Sequence, residues 1–138
     1  MIGETIDSCY EIIREIGSGA MGGVFEAKQT FTDRRVAIKL LNRPGIVHAK
    51  DVITRFEREA LAAAKLSSPH IVQILDAGHD PTTGLPYTVM ELLQGEGVDD
   101  LLTRVGSLAP SLTIRIVAQI CRGLEKAHEA GMIHRDVK

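Results

Sequence analysis

The stretch that decides the fold is GSGAMGGVFEAK, residues 17–28. A dinucleotide-binding turn would lead from a strand into a helix, whereas here strand-forming residues resume at Val24 after the glycines. A P-loop is excluded as well, because no Gly-Lys-Ser/Thr follows. The pattern predicts a β-hairpin whose backbone amides can approach phosphates, and an ordinary glycine-rich hairpin is the alternative interpretation.

The sequence around this hairpin predicts mainly strands in the first part of the chain and helices in the second. Alternating and β-branched residues predict five strands, the first two joined by the hairpin and the others at 35–41, 71–77 and 87–92. Capping and apolar spacing predict helices at 50–66, 98–105 and 111–130. The fold class is therefore α+β. A five-stranded antiparallel sheet with one helix comes first in the chain, and a helical region follows.

One strand and one helix each carry a charged residue that needs an explanation. Lys39 shares a strand face with the small Ala37, which leaves room for a flat ligand. Glu59 falls within the apolar stripe of the first helix, whereas Glu57 is expected to face away. Because a lone carboxylate on a core face costs several kcal/mol, we expect Lys39 to pair with Glu59. An exposed Lys39 and a Glu59 that reaches solvent from the helix edge are the alternatives.

The last predicted helix has one apolar stripe, formed by Ile114, Val117, Cys121, Leu124 and His128. This spacing favours packing roles for Cys121 and His128. A metal site using His128 and His134 lacks a third ligand at a supportive spacing, and no Ser or Cys nucleophile elbow indicates a hydrolase.

Composition excludes several classes of function. The formal net charge is -2, with acidic and basic residues interspersed, so no broad cationic surface is expected for nucleic acid. Cys9 and Cys121 follow no metal-ligand spacing, and neither a signal peptide nor a membrane-spanning run is found in these residues. A reducing, cytoplasmic location is expected.

Six stretches together resemble the protein kinase domain, specifically the eukaryotic-like Ser/Thr kinases of bacteria. They are GSGAMGGVFEAK (17–28), VAIKLL (36–41), RFEREALAAAKL (55–66), SSPHIV (67–72), YTVMELLQG (87–95) and GLEKAHEAGMIHRDVK (123–138). The resemblance implies an N-lobe over 10–92, then a hinge and partial C-lobe over 93–138, after an N-terminal extension over 1–9. Because it covers only the first half of the family domain, the chain is expected to be truncated within the catalytic loop. The apolar stripe of the last helix would then lack its C-lobe partners, so we expect it to stay exposed and to promote association.

The resemblance also implies an ATP site. Its glycine loop would comprise Gly17, Ser18, Gly19, Ala20, Met21, Gly22, Gly23 and Val24. The adenine would lie among Ile16, Val24, Ala37 and the gatekeeper Met90, with the Glu91 carbonyl and Leu93 amide at its edge. Lys39, held by Glu59, would contact the α and β phosphates. Asp136 would be the catalytic base, and Lys138 would steady the γ phosphate.

Magnesium is implied too, but its protein ligands in the family have no counterpart here. The metal-binding Asn would stand five residues after Asp136, and neither it nor an Asp-Phe-Gly motif occurs among these 138 residues. We therefore expect an ATP-dependent kinase by family, with a protein substrate, whose 138-residue polypeptide lacks useful turnover alone. A non-catalytic module that binds nucleotide or protein is the alternative.

Overall fold

The computed structural model describes residues 1–19, 22–42, 50–135 and 137. The chain forms two compact units. The first consists of Met1–Lys65 and Gln73–Leu92, and the second of Leu66–Val72 and Leu93–Lys138.

The first unit is built on one antiparallel sheet. Its strands are β1 (Thr5–Ile6), β2 (Tyr10–Gly19), β3 (Gly22–Gln29), β4 (Arg35–Leu40), β5 (Ile74–His79) and β6 (Pro86–Glu91). They are arranged in the order β1-β2-β3-β4-β6-β5. The predicted count of five strands is wrong by one, because β1 in the N-terminal extension pairs with β2 through Ile6 and Tyr10. A two-residue strand is too short to show an alternating pattern in the sequence.

Three helices complete the described elements, as the sequence predicts. They are α1 (Lys50–Ala64), α2 (Val98–Val105) and α3 (Pro110–Glu129). Pro110 suits the first turn of α3 because a helix leaves that N–H without an intrahelical partner. Gly106 ends α2 at φ +80°, and its amide donates to the Leu102 carbonyl at 2.7 Å. No helix in the described part of the chain is long and apolar enough to cross a membrane.

The core of the first unit lies on one face of the sheet. Its buried residues are Ile6, Tyr10, Ile12, Phe25, Ala27, Val36, Ile38, Leu40, Tyr87 and Val89. On β4, Val36, Ile38 and Leu40 point into this core, so Ala37 and Lys39 lie on the opposite face. The alternation of the VAIKLL stretch therefore sets which face can hold a ligand.

Side chains join the N-terminal segment to the distant strands β5 and β6. The Tyr87 hydroxyl donates to Asp7 Oδ2 at 2.6 Å, and the Asp7 amide donates to Asp80 Oδ1 at 2.9 Å. The Tyr10 hydroxyl donates to Asp76 Oδ2 at 2.9 Å. Burial, reinforced by this hydrogen bond, raises the pKa of Tyr10 to about 12. These contacts close the core on the side away from Lys39.

In the second unit, α3 packs closely on residues 66–72. A Cβ added to the buried Gly123 would lie 2.8 Å from the His70 carbonyl oxygen, so only glycine permits this approach. The predicted apolar stripe is exposed, with Ile114 at 68% and Val117 at 51%. Cys121 and His128, interpreted from the sequence as packing residues, are exposed as well.

Candidate nucleotide-binding site

The glycine-rich stretch forms the β2–β3 hairpin that its sequence predicts. The cross-strand partners are Gly17 with Val24, Ser18 with Gly23, and Gly19 with Gly22. Register shifts between Ile12 and Arg14 and between Glu15 and Gly17 mark irregularities in β2. Ala20 and Met21, the predicted tip of the loop, lie outside the described residues.

Two of the hairpin glycines are required by close packing. Gly22 has φ +157°, and a Cβ there would lie 1.9 Å from the Leu40 carbonyl oxygen. A Cβ on Gly23 would lie 2.6 Å from the Phe25 ring. Gly17 is different, since its nearest neighbour would be the Val24 Cβ at 3.9 Å. The β3 stem of the hairpin is thus held tightly against the end of β4.

One hydrogen bond reinforces this stem. The Gly23 amide donates to Asn42 Oδ1 at 3.1 Å, and Asn42 Nδ2 donates to Met1 Sδ at 3.5 Å. Asn42 was not among the predicted site residues, because a polar residue after a strand reads only as the start of a loop.

The predicted ligand-facing residues of the sheet share one face. Val24 pairs with Lys39 across β3 and β4, and Ala37 pairs with Met90 across β4 and β6. Because side chains alternate along a strand and cross-strand partners share a face, these four lie together opposite the core. Ile16, on β2, is 39% exposed. The combination of small and apolar residues beside one cation suits a flat ring that carries phosphates.

A buried carboxylate also lies on this face. Glu26 is cross-strand partner to Ala37, and its Oε2 lies 2.6 Å from the Arg14 guanidinium. Arg35 hydrogen-bonds its other oxygen. The Arg35 hydrogen bond, opposed by burial and aided by Arg14, lowers the pKa of Glu26. The two guanidiniums therefore compensate a negative charge that would otherwise repel phosphates.

The expected pairing of Lys39 with Glu59 is absent from the described residues. Lys39 Nζ lies 5.6 Å from the centroid of the Phe56 ring, in a cation–π contact. Glu59 Oε1 instead lies 2.8 Å from Arg55 Nε, and the Glu59 side chain is 54% exposed. The prediction that Glu59 lies on the buried face of α1 is thus wrong.

The set of residues that α1 buries explains this difference. The buried residues of α1 are Phe56 and Ala60, whereas Leu66, counted in the predicted stripe, lies beyond the end of the helix at Ala64. Without Leu66 the centre of the buried face moves away from Glu59, and on the helical wheel it lies midway between Glu57 and Glu59. The Glu57 carboxylate lies 3.1 Å from His79 Nε2 on β5, so the prediction that Glu57 faces away is also wrong.

At the end of β6, Glu91 is held by two bonds to residue 73. The Glu91 amide donates to the Gln73 carbonyl at 3.0 Å, and the Gln73 amide donates to Glu91 Oε1 at 2.8 Å. The residue whose carbonyl is predicted to face adenine is therefore fixed at the end of β6. Leu93 belongs to the second unit and is 64% exposed.

The remaining predicted residues, Asp136 and Lys138, lie outside the described residues. Within the described ranges, no group of three or more His, Cys, Asp or Glu could hold a metal ion.

Comparisons with known proteins identify the family. The model of the protein kinase domain matches residues 10–138. The serine/threonine-protein kinase PrkC of Bacillus subtilis is 38% identical over 138 residues, which cover 100% of this chain and 21% of that protein. The serine/threonine-protein kinase PknE of Mycobacterium tuberculosis is 41% identical over 131 residues, covering 94% of this chain and 22% of that protein. The chain therefore spans about a fifth of the length of these relatives.

A solved structure agrees with the sequence relatives. The crystal structure of the PknI kinase domain of M. tuberculosis matches with a TM-score of 0.80 and 28% identity, covering 100% of this chain and 54% of that one. The glycine hairpin, the strand carrying Lys39 and the helix α1 thus occur in a chain whose sequence and fold agree with one family. Over residues 10–138, this chain belongs to the protein kinase domain family.

Proposed function

We propose that this chain forms the ATP-binding part of a serine/threonine protein kinase. The whole protein would transfer the γ-phosphoryl group of ATP to a Ser or Thr hydroxyl of a protein substrate. The observation that carries the proposal is the cross-strand row of Gly17, Val24 and Lys39, which sets a glycine hairpin beside a cation on one sheet face. The names of the relatives support the choice of Ser/Thr kinase.

In this proposal the adenine ring contacts the apolar part of the face. Val24, Ala37 and Met90 would pack on the ring, with Ile16 at its border, and their burial of apolar surface would supply much of the affinity. The Glu91 carbonyl and the Leu93 amide would bond the polar edge of adenine. Two such bonds distinguish adenine from a ring of the same size with other polar groups.

Lys39 would bind the α and β phosphates, together with amides of the hairpin residues 17–24 other than that of Gly23, which donates to Asn42 Oδ1. In the described part of the chain the Lys39 ammonium contacts the Phe56 ring and forms no ion pair with a carboxylate, so its charge remains available to an anion. Glu59 is paired with Arg55, so it would affect phosphate binding only indirectly, through the position of α1.

The transfer step would use Asp136 as the base for the substrate hydroxyl and Lys138 for the γ phosphate. In the family, bound magnesium neutralises charge on the transferred phosphate, and its protein ligands are absent from these 138 residues. A positioned base alone contributes about 10²- to 10⁴-fold, far below what a kinase supplies. A polypeptide of these 138 residues would therefore have no useful turnover by itself.

The binding part of the proposal is tested with Lys39→Met. Because a hydrogen bond to a charged group contributes about 1.5–3 kcal/mol, we expect ATP affinity to fall about tenfold or more. Affinity for adenosine, which has no phosphate, should be unchanged. Isothermal titration calorimetry measures both, and Lys28→Met, which removes a cation paired with Glu11 and Asp33, is the matched control. Equal ATP affinity in Lys39→Met and the parent chain contradicts the proposed site.

The turnover part is tested by transfer of labelled phosphate to a mixed protein substrate. We expect the signal of the 138-residue polypeptide to equal that of its Asp136→Asn variant. Magnesium-dependent phosphorylation well above this control contradicts the predicted inactivity. For the whole protein, an Asp-Phe-Gly motif encoded after Lys138 favours the enzyme, whereas ATP binding without such a motif favours the non-catalytic module.

A further inference from the structure

We propose, resting on the ATP site proposed above, that Asn42 is a positioning residue for the phosphate-binding hairpin. Its side-chain carbonyl accepts a hydrogen bond from the Gly23 amide at 3.1 Å. Through this bond Asn42 fixes the hairpin stem relative to Lys39, which lies three residues earlier on the same chain segment.

The main-chain pairing of β3 with β4 ends just before Asn42. The last cross-strand pair of β3 and β4 joins Gly23 to Leu40, and β4 ends at Leu40. Asn42 lies beyond the strand, and its side-chain amide extends the attachment of β3 past the end of the ladder. The hairpin therefore keeps a second attachment to the strand that carries Lys39.

The packing around this bond leaves little freedom. A Cβ on Gly22 would lie 3.0 Å from both the Asn42 nitrogen and Asn42 Oδ1, so the glycine backbone lies directly against Asn42. Glycine backbones lose more conformational freedom on ordering than other residues do. A single side-chain bond at the stem thus reduces the entropy that ATP binding would otherwise have to remove.

The bond is placed where ATP would not displace it. Asn42 lines an open pocket of about 200 Å³ together with Glu15, Phe25 and the hairpin residues Ser18, Gly19, Gly22 and Gly23. Glu15 and Phe25 are cross-strand partners, so they lie on the face opposite Val24 and Lys39. Phosphates bound on the Lys39 face would leave the Asn42 bond intact, and the negative Glu15 disfavours phosphate in this pocket.

Binding of ATP and of adenosine to the 138-residue chain tests the inference. In Asn42→Ala we expect the ATP dissociation constant to rise about three- to tenfold, the range of one net hydrogen bond, with no change for adenosine. Gln119→Ala, which removes an exposed amide from α3, should change neither constant.

The exchange rate of the Gly23 amide, followed by NMR without nucleotide, provides a second readout. It should increase in Asn42→Ala and stay slow in Asn42→Asp, whose carboxylate keeps an acceptor for this amide. Rapid exchange in Asn42→Asp contradicts the inference.

The calorimetric outcomes separate this inference from the proposed function. If the parent chain binds ATP but Asn42→Ala leaves both constants unchanged, or weakens both equally, the positioning role is wrong and the ATP site stands. If Asn42→Ala does not fold, Asn42 is a structural residue and the inference is again wrong. If the parent chain binds neither ligand, the proposed function is wrong and the positioning role is lost with it.

Discussion

The charges of single residues differ greatly in what they contribute to stability. Glu59 is 54% exposed and bonds Arg55 one helical turn away. Such exposed pairs contribute about 0.3–0.5 kcal/mol because water and salt compete with them. Glu26 is 5% exposed and is bound by two arginines, so the loss of its charge leaves two guanidiniums without their partner.

We therefore predict opposite outcomes for two Glu→Gln changes. Glu59→Gln should alter the free energy of unfolding by less than about 0.5 kcal/mol, as measured by urea denaturation. Glu26→Gln should lower the denaturation midpoint clearly more. A larger loss for Glu59→Gln than for Glu26→Gln would show that Glu59 is held in the core.

The pKa values of Tyr10 and Tyr87 indicate whether the core encloses these two side chains. Burial, with the hydrogen bond to Asp76, raises the pKa of Tyr10 from 10.0 to about 12. Burial, with the hydrogen bond to Asp7, raises the pKa of Tyr87 as well. Because the pKa of each tyrosine is higher in the folded chain than in the unfolded chain, its contribution to stability is complete below the unfolded pKa of about 10. This contribution is lost as pH rises through the folded pKa.

We predict that stability falls above about pH 10 for this reason. The chain has no Trp and only these two tyrosines, so ultraviolet absorbance of tyrosinate follows them directly. In the folded chain they should titrate near pH 12 or above, and in guanidinium chloride near about 10. Ionisation near pH 10 in a chain that circular dichroism shows to be folded contradicts the buried arrangement.

At the scale of elements, the hairpin depends on one close approach between strands. A Cβ at Gly22 would meet the Leu40 carbonyl at 1.9 Å, and a backbone atom cannot move aside as a flexible side chain can. Gly17, on β2 before the loop tip, has no such neighbour. The two glycines of one motif therefore serve different purposes.

We predict that Gly22→Ala lowers the free energy of unfolding by about 2–4 kcal/mol, whereas Gly17→Ala changes it by about 0.5 kcal/mol or less. Thermal and urea denaturation of both variants measures the difference. If Gly22→Ala and Gly17→Ala lower the free energy of unfolding by similar amounts, the prediction is wrong. The two glycines would then be required for backbone flexibility alone.

At the scale of the whole molecule, α3 exposes an apolar surface. Ile114 and Val117, one turn apart, are 68% and 51% exposed. Contiguous exposed apolar residues favour association because contact removes them from water. The surface belongs to the second unit and involves none of the residues of the sheet face.

We predict that the 138-residue polypeptide self-associates through this stripe. Ile114→Lys should shift the weight-average mass towards the monomer, as measured by analytical ultracentrifugation over a range of concentrations. Gln119→Lys adds the same charge at an exposed polar position of α3 and should leave association unchanged. Equal effects of the two variants would attribute the change to net charge.

The sequence by itself determined the elements and the family. The glycine hairpin, the strand with Lys39 and the three helices follow from local patterns of turn residues and periodicity, which depend on neighbours in the chain. The alternation of VAIKLL also placed Ala37 and Lys39 on one face. The sequence did not predict the two-residue strand β1, because β1 is recognised by its pairing with β2 and two residues form no pattern of their own.

Only the tertiary structure decided how these elements are joined. Which residues of α1 the sheet buries decides that Glu57 reaches His79 and that Glu59 pairs with Arg55. The bonds of Asp7 to Tyr87 and of Asn42 to Gly23 connect residues that are 80 and 19 positions apart. Local patterns carry no information about such distant partners, since the partners meet only when the sheet folds.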